Sequence, residues 1–226
     1  MSIKGLVIKI IHSQKVRKTL SHLQNRKKLR TLLIIGSIIY KPIIRIVGTK
    51  IIIGKKEYTK EKDTIIVVSH EASITGAPIL AYNIIEELEA KYNIITILMR
   101  GGPLKDQFKE KSIVVMEPRL GFFIKKSIEG VIKEICGNDV PRYALVNSVV
   151  SHGAIYPLRS LGVPTVTLIH EFGAYIRPIE LLQQVGLWSS QLVFSSQLTR
   201  NDIIKRCPII EGAPIAVLPQ GRCKTP

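Results

Sequence analysis

Two short apolar runs are each followed directly by an adjacent histidine and glutamate: His70 with Glu71, and His170 with Glu171. A histidine side chain can exchange a proton near neutral pH, or donate a hydrogen bond to a hydroxyl or a phosphate group. Each of these residues taken alone would be interpreted as an ordinary polar loop residue. A site therefore requires several such residues to lie together in the folded chain.

Other small or polar residues follow further apolar runs in the same part of the chain: Gly101, Gly102, Asn147, Ser148, Ser195 and Ser196. In an open parallel sheet, the loops at the carboxyl ends of the strands lie along one edge and form the ligand crevice. Five loops that carry such residues at one edge predict a pocket there.

Alternating strands and helices are needed to position these loops. Short runs rich in β-branched residues predict strands at residues 65–68, 93–99, 112–116, 143–146, 164–169, 192–194 and 215–218. Amphipathic patterns predict helices near residues 77–88, 104–111, 122–136, 152–161, 179–188 and 197–205. Nearly continuous apolar strands separated by such helices indicate an α/β fold, with a mostly parallel sheet covered by helices on both faces.

The first of these units, residues 64–78, combines a strand, a loop with Thr75 and Gly76, and a helix start. Pro78 suits the first turn of a helix, where its missing N–H group is not needed. The free backbone N–H groups of a helix start favour a phosphate, so this loop is a candidate phosphate site. The alternative is that Gly76 only allows a tight turn before the helix.

Several classes of protein find no support in the sequence. It has no GxSxG elbow, P-loop, HExxH or complete GxGxxG motif, so a serine hydrolase or a dehydrogenase is not indicated. The three cysteines are far apart and match no metal-ligand spacing: Cys136, Cys207 and Cys223. We therefore expect a reducing compartment, no disulfide framework, no metal site and no cofactor.

The basic charge of the chain is concentrated at its N-terminus. Residues 1–62 hold 16 of the 33 lysines and arginines and two of the 17 acidic residues, which is +14 of the net charge of +16. The longest apolar run in this segment is about ten residues, shorter than a bilayer span. Basic and apolar residues at helical spacing predict an extension that lies on an anionic membrane surface. The alternative is a solvated helix packed on the body.

Nucleic acid is not expected as a partner of residues 1–62. Tyr40 is the one aromatic residue before Lys41, so the segment offers no platform for base stacking. No RNA- or DNA-binding motif is present either. We therefore divide the chain into a basic helical extension, residues 1–62, and an α/β domain, residues 63–226.

The motifs of the second segment, in their order, resemble the N-terminal half of family 4 glycosyltransferases, which have the GT-B fold. SHEASITGAPILAYNIIEEL is followed by a strand and RGGPL, and then by LVNSVVSHGAIYPLRSLGVPTVTLIHEF, VFSSQLTRNDI and VLPQGRCK. The order of the pieces carries the resemblance, which covers residues 63–224. It implies a Rossmann-like domain of the kind that mainly binds the acceptor, whereas the family's second domain binds the nucleotide-sugar donor.

The resemblance also implies roles for individual residues. Gly76, with Thr75, matches the loop that approaches the donor diphosphate, and His170 matches a histidine that faces the acceptor and the transferred sugar. Glu171 accompanies His170, and we expect this pair to be catalytic. The remaining candidates would line the acceptor side: His70, Gly101, Gly102, Asn147, Ser195 and Ser196. The alternative for His170 is a capping or structural histidine.

The resemblance ends before the donor-binding domain of the family. It implies hexosyl transfer from a nucleotide-sugar to a glycan or lipid-linked acceptor in the synthesis of a cell-surface polysaccharide or glycolipid. We expect this chain to be the acceptor-binding half and inactive alone: either a truncated product, or a subunit that needs a partner chain with a donor domain. Residues 1–62 would hold it at the cytoplasmic face of the cell membrane. Two alternatives are a non-catalytic binding module recruited to anionic membranes, and a basic polyanion-binding protein.

Overall fold

A computed structural model describes residues 49–118 and 124–226 of the chain. The predicted basic extension lies outside the described residues up to residue 48, as do the first two residues of the helix predicted at 122–136. Thr49–Pro226 forms one compact unit. Within the described ranges, no helix is long and apolar enough to cross a membrane.

The chain alternates between strands and helices along its length. The eight strands in the described residues are β1 (Thr49–Ile53), β2 (Thr64–Ser69), β3 (Asn93–Leu98), β4 (Val114–Pro118), β5 (Tyr143–Asn147), β6 (Thr165–Ile169), β7 (Gln191–Phe194) and β8 (Ile215–Val217). The α-helices in the same residues are α1 (Gly76–Leu88), α2 (Lys105–Lys111), α3 (Ile124–Cys136), α4 (Ile155–Ser160), α5 (Glu180–Trp188) and α6 (Gln197–Arg206). Short 3₁₀ helices lie at Val149–Ala154, Gly173–Tyr175 and Pro208–Gly212.

All eight strands form one sheet in the order β1-β4-β3-β2-β5-β6-β7-β8. Every neighbouring pair is parallel except β1 and β4, which are antiparallel. The chain moves outward from β2 through β3 to β4, and then returns to pair β5 against the other side of β2. The predicted fold class, a mostly parallel Rossmann-like sheet, is therefore confirmed.

The apolar core lies on both faces of this sheet. Alternate residues of β2 point to opposite faces, so that Ile65 belongs to one core cluster and Ile66 to the other. The first cluster includes buried residues of α1 and α2, and the second includes buried residues of α3, α4, α5 and α6. Helices therefore cover both faces, which explains why the strand sequences are nearly continuous apolar runs.

The sheet begins earlier in the sequence than the boundary predicted at residue 63. β1 lies within the segment assigned to the extension, and it pairs with β4 from Thr49 opposite Pro118 to Ile53 opposite Val114. Asn93 ties the following loop to the sheet, because its side chain accepts from Thr59 N at 2.9 Å and donates to Thr59 O and to Lys62 O at 2.7 Å. The described part of residues 1–62 is therefore strand and loop rather than helix.

The predicted helix at residues 152–161 forms in two pieces. A 3₁₀ helix covers Val149–Ala154, and α4 follows at Ile155–Ser160. The Ser148 hydroxyl caps the 3₁₀ helix by accepting from Val150 N at 3.1 Å. Pro157 lies in the first turn of α4, where a backbone N–H donor is not required. The prediction of helical structure was right, but the tight turn after β5 starts it earlier.

Candidate functional site

The loops that carry the candidate residues lie at the carboxyl ends of the parallel strands. The direction of the crossover connections reverses between β2 and β5, which are neighbours in the sheet. A crevice forms at such a point because the loops from the two strands leave towards opposite faces. The residues that follow β2 and β5, together with those after β6, therefore form the centre of the candidate site.

A chain of hydrogen bonds links β6 to α1 through Asn147 at the end of β5. The Asn147 amide nitrogen donates to the backbone oxygen of Ala77 at 2.6 Å. His170 Nε2 lies 2.7 Å from the Asn147 amide oxygen. Asn147 is fully buried, whereas His170 is half-buried. The structure thus brings two predicted site residues into direct contact with each other.

Glu171 connects the loops that follow β5 and β6. One carboxylate oxygen accepts a hydrogen bond from the Ser148 hydroxyl, and the other accepts from the backbone N–H of His170 at 3.1 Å. Ser148 has a φ of 79°, which places it in the left-handed region that L-residues seldom adopt. The carboxylate of Glu171 therefore holds both the strained turn after β5 and the backbone next to His170.

His70 and Glu71 occupy the corresponding place at the end of β2. Glu71 accepts a hydrogen bond from the Ser73 hydroxyl at 2.5 Å, and it lies 3.7 Å from His70 Nε2. His70 Nδ1 is buried and has no hydrogen-bond partner among the described residues. The charge of His70 also affects the pKa of His170, so the two histidines are close enough to interact at this edge.

Burial lowers the pKa of His170 from its usual value of 6.5. The charge of Glu171 opposes this effect and raises the pKa, whereas His70 lowers it further. The dominant cause is the cost of placing a charged imidazolium away from water. Burial therefore favours the neutral imidazole, which can accept a hydrogen bond or a proton from a hydroxyl group.

The start of α1 presents an open backbone at the predicted phosphate loop. A Cβ atom on Gly76 would meet no heavy atom within 4 Å. Thr75 precedes the helix with an extended backbone, and its side chain does not cap the helix. The first backbone N–H groups of α1 thus lack a side-chain cap from Thr75, and this is the geometry that suits an anion.

Gly101 and Gly102 lie after β3, where they contact protein atoms. A Cβ atom on Gly101 would lie 3.3 Å from a carboxylate oxygen of Glu117, and one on Gly102 would lie 2.3 Å from the backbone oxygen of Ala72. Gly102 therefore allows the loops after β2 and β3 to approach closely. This packing role accounts for the glycine without a ligand.

Ser195 and Ser196 follow β7 and have different surroundings. Ser196 caps α6, because its hydroxyl accepts from Thr199 N at 3.1 Å. Ser195 lines a cavity of about 230 Å³ together with His170 and Gln220. The apolar residues of this cavity are Leu80, Ile84, Leu168, Val193, Leu218 and Pro219. Ser195 thus lines the same cavity as His170, whereas the Ser196 hydroxyl is committed to a helix cap.

Gln220 is a site residue that sequence reasoning missed. It lies in the segment after β8, and its amide nitrogen contacts His170 Nδ1. The same segment is held against α1 by Asn83, whose side chain donates to Lys224 O at 2.9 Å and accepts from Lys224 N at 2.7 Å. The position of Gln220 directly after the last predicted strand was the available signal.

Metal ligands do not assemble in the part of the chain that the structure describes. Within residues 49–118 and 124–226, no group of three histidine, cysteine, aspartate or glutamate side chains could hold an ion. All three cysteines are free thiols, two of them buried and Cys223 exposed.

No protein-family model matches the chain. No curated protein sequence matches it either. Among solved structures, Anabaena Alr3699/HepE in complex with UDP-glucose matches 71% of this chain with a TM-score of 0.55 at 14% sequence identity. The same protein in complex with UDP and glucose gives a TM-score of 0.54 at 14% identity, again over 71% of this chain. Phytolacca americana UGT2, complexed with UDP-2fluoro-glucose and pterostilbene, gives 0.42 at 10% identity, over 71% of this chain and 53% of its own.

The described part of the chain has the fold of the GT-B glycosyltransferases, as these neighbours do. The match spans 44% to 45% of the HepE chain, so it relates this chain to about half of that protein. The identities are too low to show more than a shared fold. The class that the fold defines is therefore a Rossmann-like α/β domain of the kind found in GT-B glycosyltransferases.

Proposed function

We propose that this chain takes part in glycosyl transfer and binds the acceptor at the crevice around His170. The observation that carries the proposal is a neutral, half-buried histidine held by Asn147 at the carboxyl edge of a GT-B sheet, beside the open start of α1. The neighbouring HepE structures, which contain UDP-glucose or UDP with glucose, support a nucleotide-sugar as the donor. Membership of glycosyltransferase family 4, which the order of the sequence motifs implies, is part of the same proposal.

His170 would contact the acceptor hydroxyl that receives the sugar. Its lowered pKa keeps the imidazole neutral, so that it can accept a hydrogen bond or a proton from that hydroxyl. Glu171 would keep the backbone at His170 in place through its bond to the His170 N–H. Ser195 and His70 lie on either side and would contact the rest of the acceptor.

The start of α1 would hold the diphosphate of the donor. Gly76 leaves the backbone open to an anion, and the helix start places partial positive charge there. Ala77, next in the chain, bonds to Asn147, so the diphosphate and the acceptor would bind on two ends of one hydrogen-bonded unit. In this proposal the described residues would supply the acceptor site and one contact to the donor.

We also propose that residues 1–62 bind an anionic membrane surface. The net charge of +14 in this segment supports the proposal, because each lysine or arginine near an anionic leaflet contributes about 1 kcal/mol. Such a location would bring a lipid-linked acceptor to the crevice. The test is co-sedimentation with vesicles of anionic and of neutral lipids at rising salt. Binding to neutral vesicles with equal strength would contradict the proposal.

Calorimetric titration and a transfer assay test the function together. The full chain is titrated with UDP, GDP and their sugars, and the transfer of a labelled sugar to lipid-linked and glycan acceptors is measured. His170→Ala should abolish transfer or acceptor binding while the chain remains folded. His152→Ala is a matched control, because His152 is a half-buried histidine whose ring contacts Val149 O at 3.3 Å, outside the bonds around His170. Equal losses in the two variants would contradict a role for His170.

A further inference from the structure

We propose that Asn147 is a positioning residue that keeps the His170 proton on Nε2 and leaves Nδ1 as the atom that meets the substrate hydroxyl. The sequence predicts Asn147 as an acceptor-binding residue, and this inference replaces that role with an indirect one. Its catalytic meaning rests on the proposed function, whereas the hydrogen-bond arrangement itself does not.

The orientation of the Asn147 amide follows from its contact with α1. The backbone oxygen of Ala77 can only accept a hydrogen bond, so the Asn147 atom 2.6 Å away must be the amide nitrogen. The amide oxygen then faces His170 Nε2 at 2.7 Å. Because this oxygen can only accept, Nε2 must carry the hydrogen.

Burial prevents the amide from turning over. Asn147 is 0% exposed, so neither polar atom of its side chain can exchange its partner for bulk water. The reversed amide would place its oxygen against the Ala77 oxygen. Two buried acceptors would then face each other with no hydrogen between them. An unsatisfied buried polar group costs about 1–3 kcal/mol, which is enough to select one orientation. The tautomer of His170 is thereby fixed from the β5 side.

The second ring nitrogen has a partner that can be replaced. The amide nitrogen of Gln220 contacts His170 Nδ1, and because an amide nitrogen can only donate, the contact fits a lone pair at that atom. Gln220 is exposed, whereas Asn147 is buried. A substrate hydroxyl could therefore take the place of the Gln220 amide at Nδ1, whereas Nε2 is already bonded to the buried Asn147. Gln220 marks the position of that hydroxyl.

Nitrogen NMR on the full chain tests the tautomer without any substitution. The side-chain ¹⁵N signals of His170 are identified as those missing from His170→Gln and are recorded at pH 7.5. We expect a protonated, pyrrole-type signal at Nε2 and a lone-pair, pyridine-type signal at Nδ1. A proton on Nδ1, or averaged signals from both tautomers, would overturn the proposal.

Two substitutions then separate the roles of the partners. Asn147→Asp keeps the shape but puts a carboxylate beside Nε2, in addition to the existing charges of Glu171 and His70 near the ring. The new charge should raise the His170 pKa by about 1 to 3 pH units in an NMR titration. Gln220→Ala should leave the tautomer unchanged and shift only the Nδ1 signal. An unchanged His170 pKa in the folded Asn147→Asp variant would contradict the contact.

The pH dependence of the transfer rate is a further measurement, and it would not change if Asn147 had a purely structural role. In Asn147→Asp, the acid limb of the rate profile should move to higher pH with the His170 pKa, and the rate should recover as pH rises. A loss that is equal at every pH would overturn the positioning role. The expected tautomer in a chain that binds no acceptor would refute the proposed function, while the hydrogen-bond arrangement would stand.

Discussion

A Cβ atom on Gly102 would lie 2.3 Å from the backbone oxygen of Ala72 and 2.4 Å from its carbonyl carbon. The same Ala72 oxygen accepts a hydrogen bond from Leu104 N at 2.8 Å, so the loop after β2 and the start of α2 are fixed against each other. A side chain at position 102 must therefore displace backbone, which is more costly than moving the end of a flexible side chain.

We expect Gly102→Ala to destabilise the fold by about 1–3 kcal/mol, the usual cost of an overpacked site. The measurement is urea denaturation followed by circular dichroism. Gly130→Ala in α3 is the matched control, because a Cβ atom there would meet no heavy atom within 4 Å and alanine favours a helix. If the Gly102→Ala variant were as stable as the wild-type chain, the loops after β2 and β3 would be able to move apart at little cost.

Gly76→Ala should separate folding from donor binding. The added Cβ meets open space and stands at the first position of α1, so the free energy of unfolding should change by less than about 0.5 kcal/mol. The methyl group would nevertheless occupy the space through which a diphosphate reaches the helix start. The expected result is a weaker affinity for UDP in calorimetric titration. An unchanged affinity for UDP would show that this loop does not bind the diphosphate.

The lowered pKa of His170 makes the fold less stable in acid. The unfolded chain binds a proton at this residue with a pKa near 6.5, and the folded chain binds it less readily. The contribution of His170 to the free energy of unfolding is therefore fully present above pH 6.5, and it is lost as the pH falls towards the folded-state pKa. Through this single group, the free energy of unfolding changes by at most about 1.4 kcal/mol per pH unit.

The contribution of His170 is isolated by comparing the wild-type chain with His170→Gln between pH 5 and pH 8. The wild-type chain should lose stability faster on acidification than the variant. Above pH 7 the two chains should show the same dependence of stability on pH. Glu171→Gln removes the charge that raises the His170 pKa, so the titration of His170 should move to lower pH. A movement to higher pH would contradict the assigned electrostatics.

The three cysteines should differ sharply in their rates of reaction with a thiol reagent. Burial raises the pKa of the Cys136 and Cys207 thiols, which reduces the thiolate fraction and adds to their steric protection. Cys223 is exposed. We expect one fast-reacting thiol in the native chain and two more after unfolding in urea, counted by absorbance with an aromatic disulfide. Cys223→Ser should abolish the fast phase.

The sequence predicted the parallel strands and most helices because each is encoded by a local pattern. The run at residues 65–68 and the helix that contains Pro78 needed no distant contact to be recognised. β1 was missed because its isoleucines stand among lysines of the basic segment, and because its antiparallel pairing with β4 joins residues 61 to 69 positions apart.

The candidate site was predictable in position but not in detail. The polar residues after each strand could be assigned to one edge, since parallel strands share a direction. The bond between Asn147 and His170 and the contact between Gln220 and His170 depend on side-chain directions that no local pattern encodes. Asn147 is polar and follows a strand, so the sequence could not distinguish a residue that meets the ligand from one that orients its neighbour.

The antiparallel strand β1 has a practical meaning for anyone who expresses part of this protein. It pairs with the outer side of β4, and the three-residue strand β8 lies at the opposite end of the sheet. A fragment that starts at residue 63 would leave the backbone N–H and C=O groups of β4 without those partners. Such an edge can pair with the same edge of another molecule, so we expect this fragment to aggregate more readily than one that starts before Thr49.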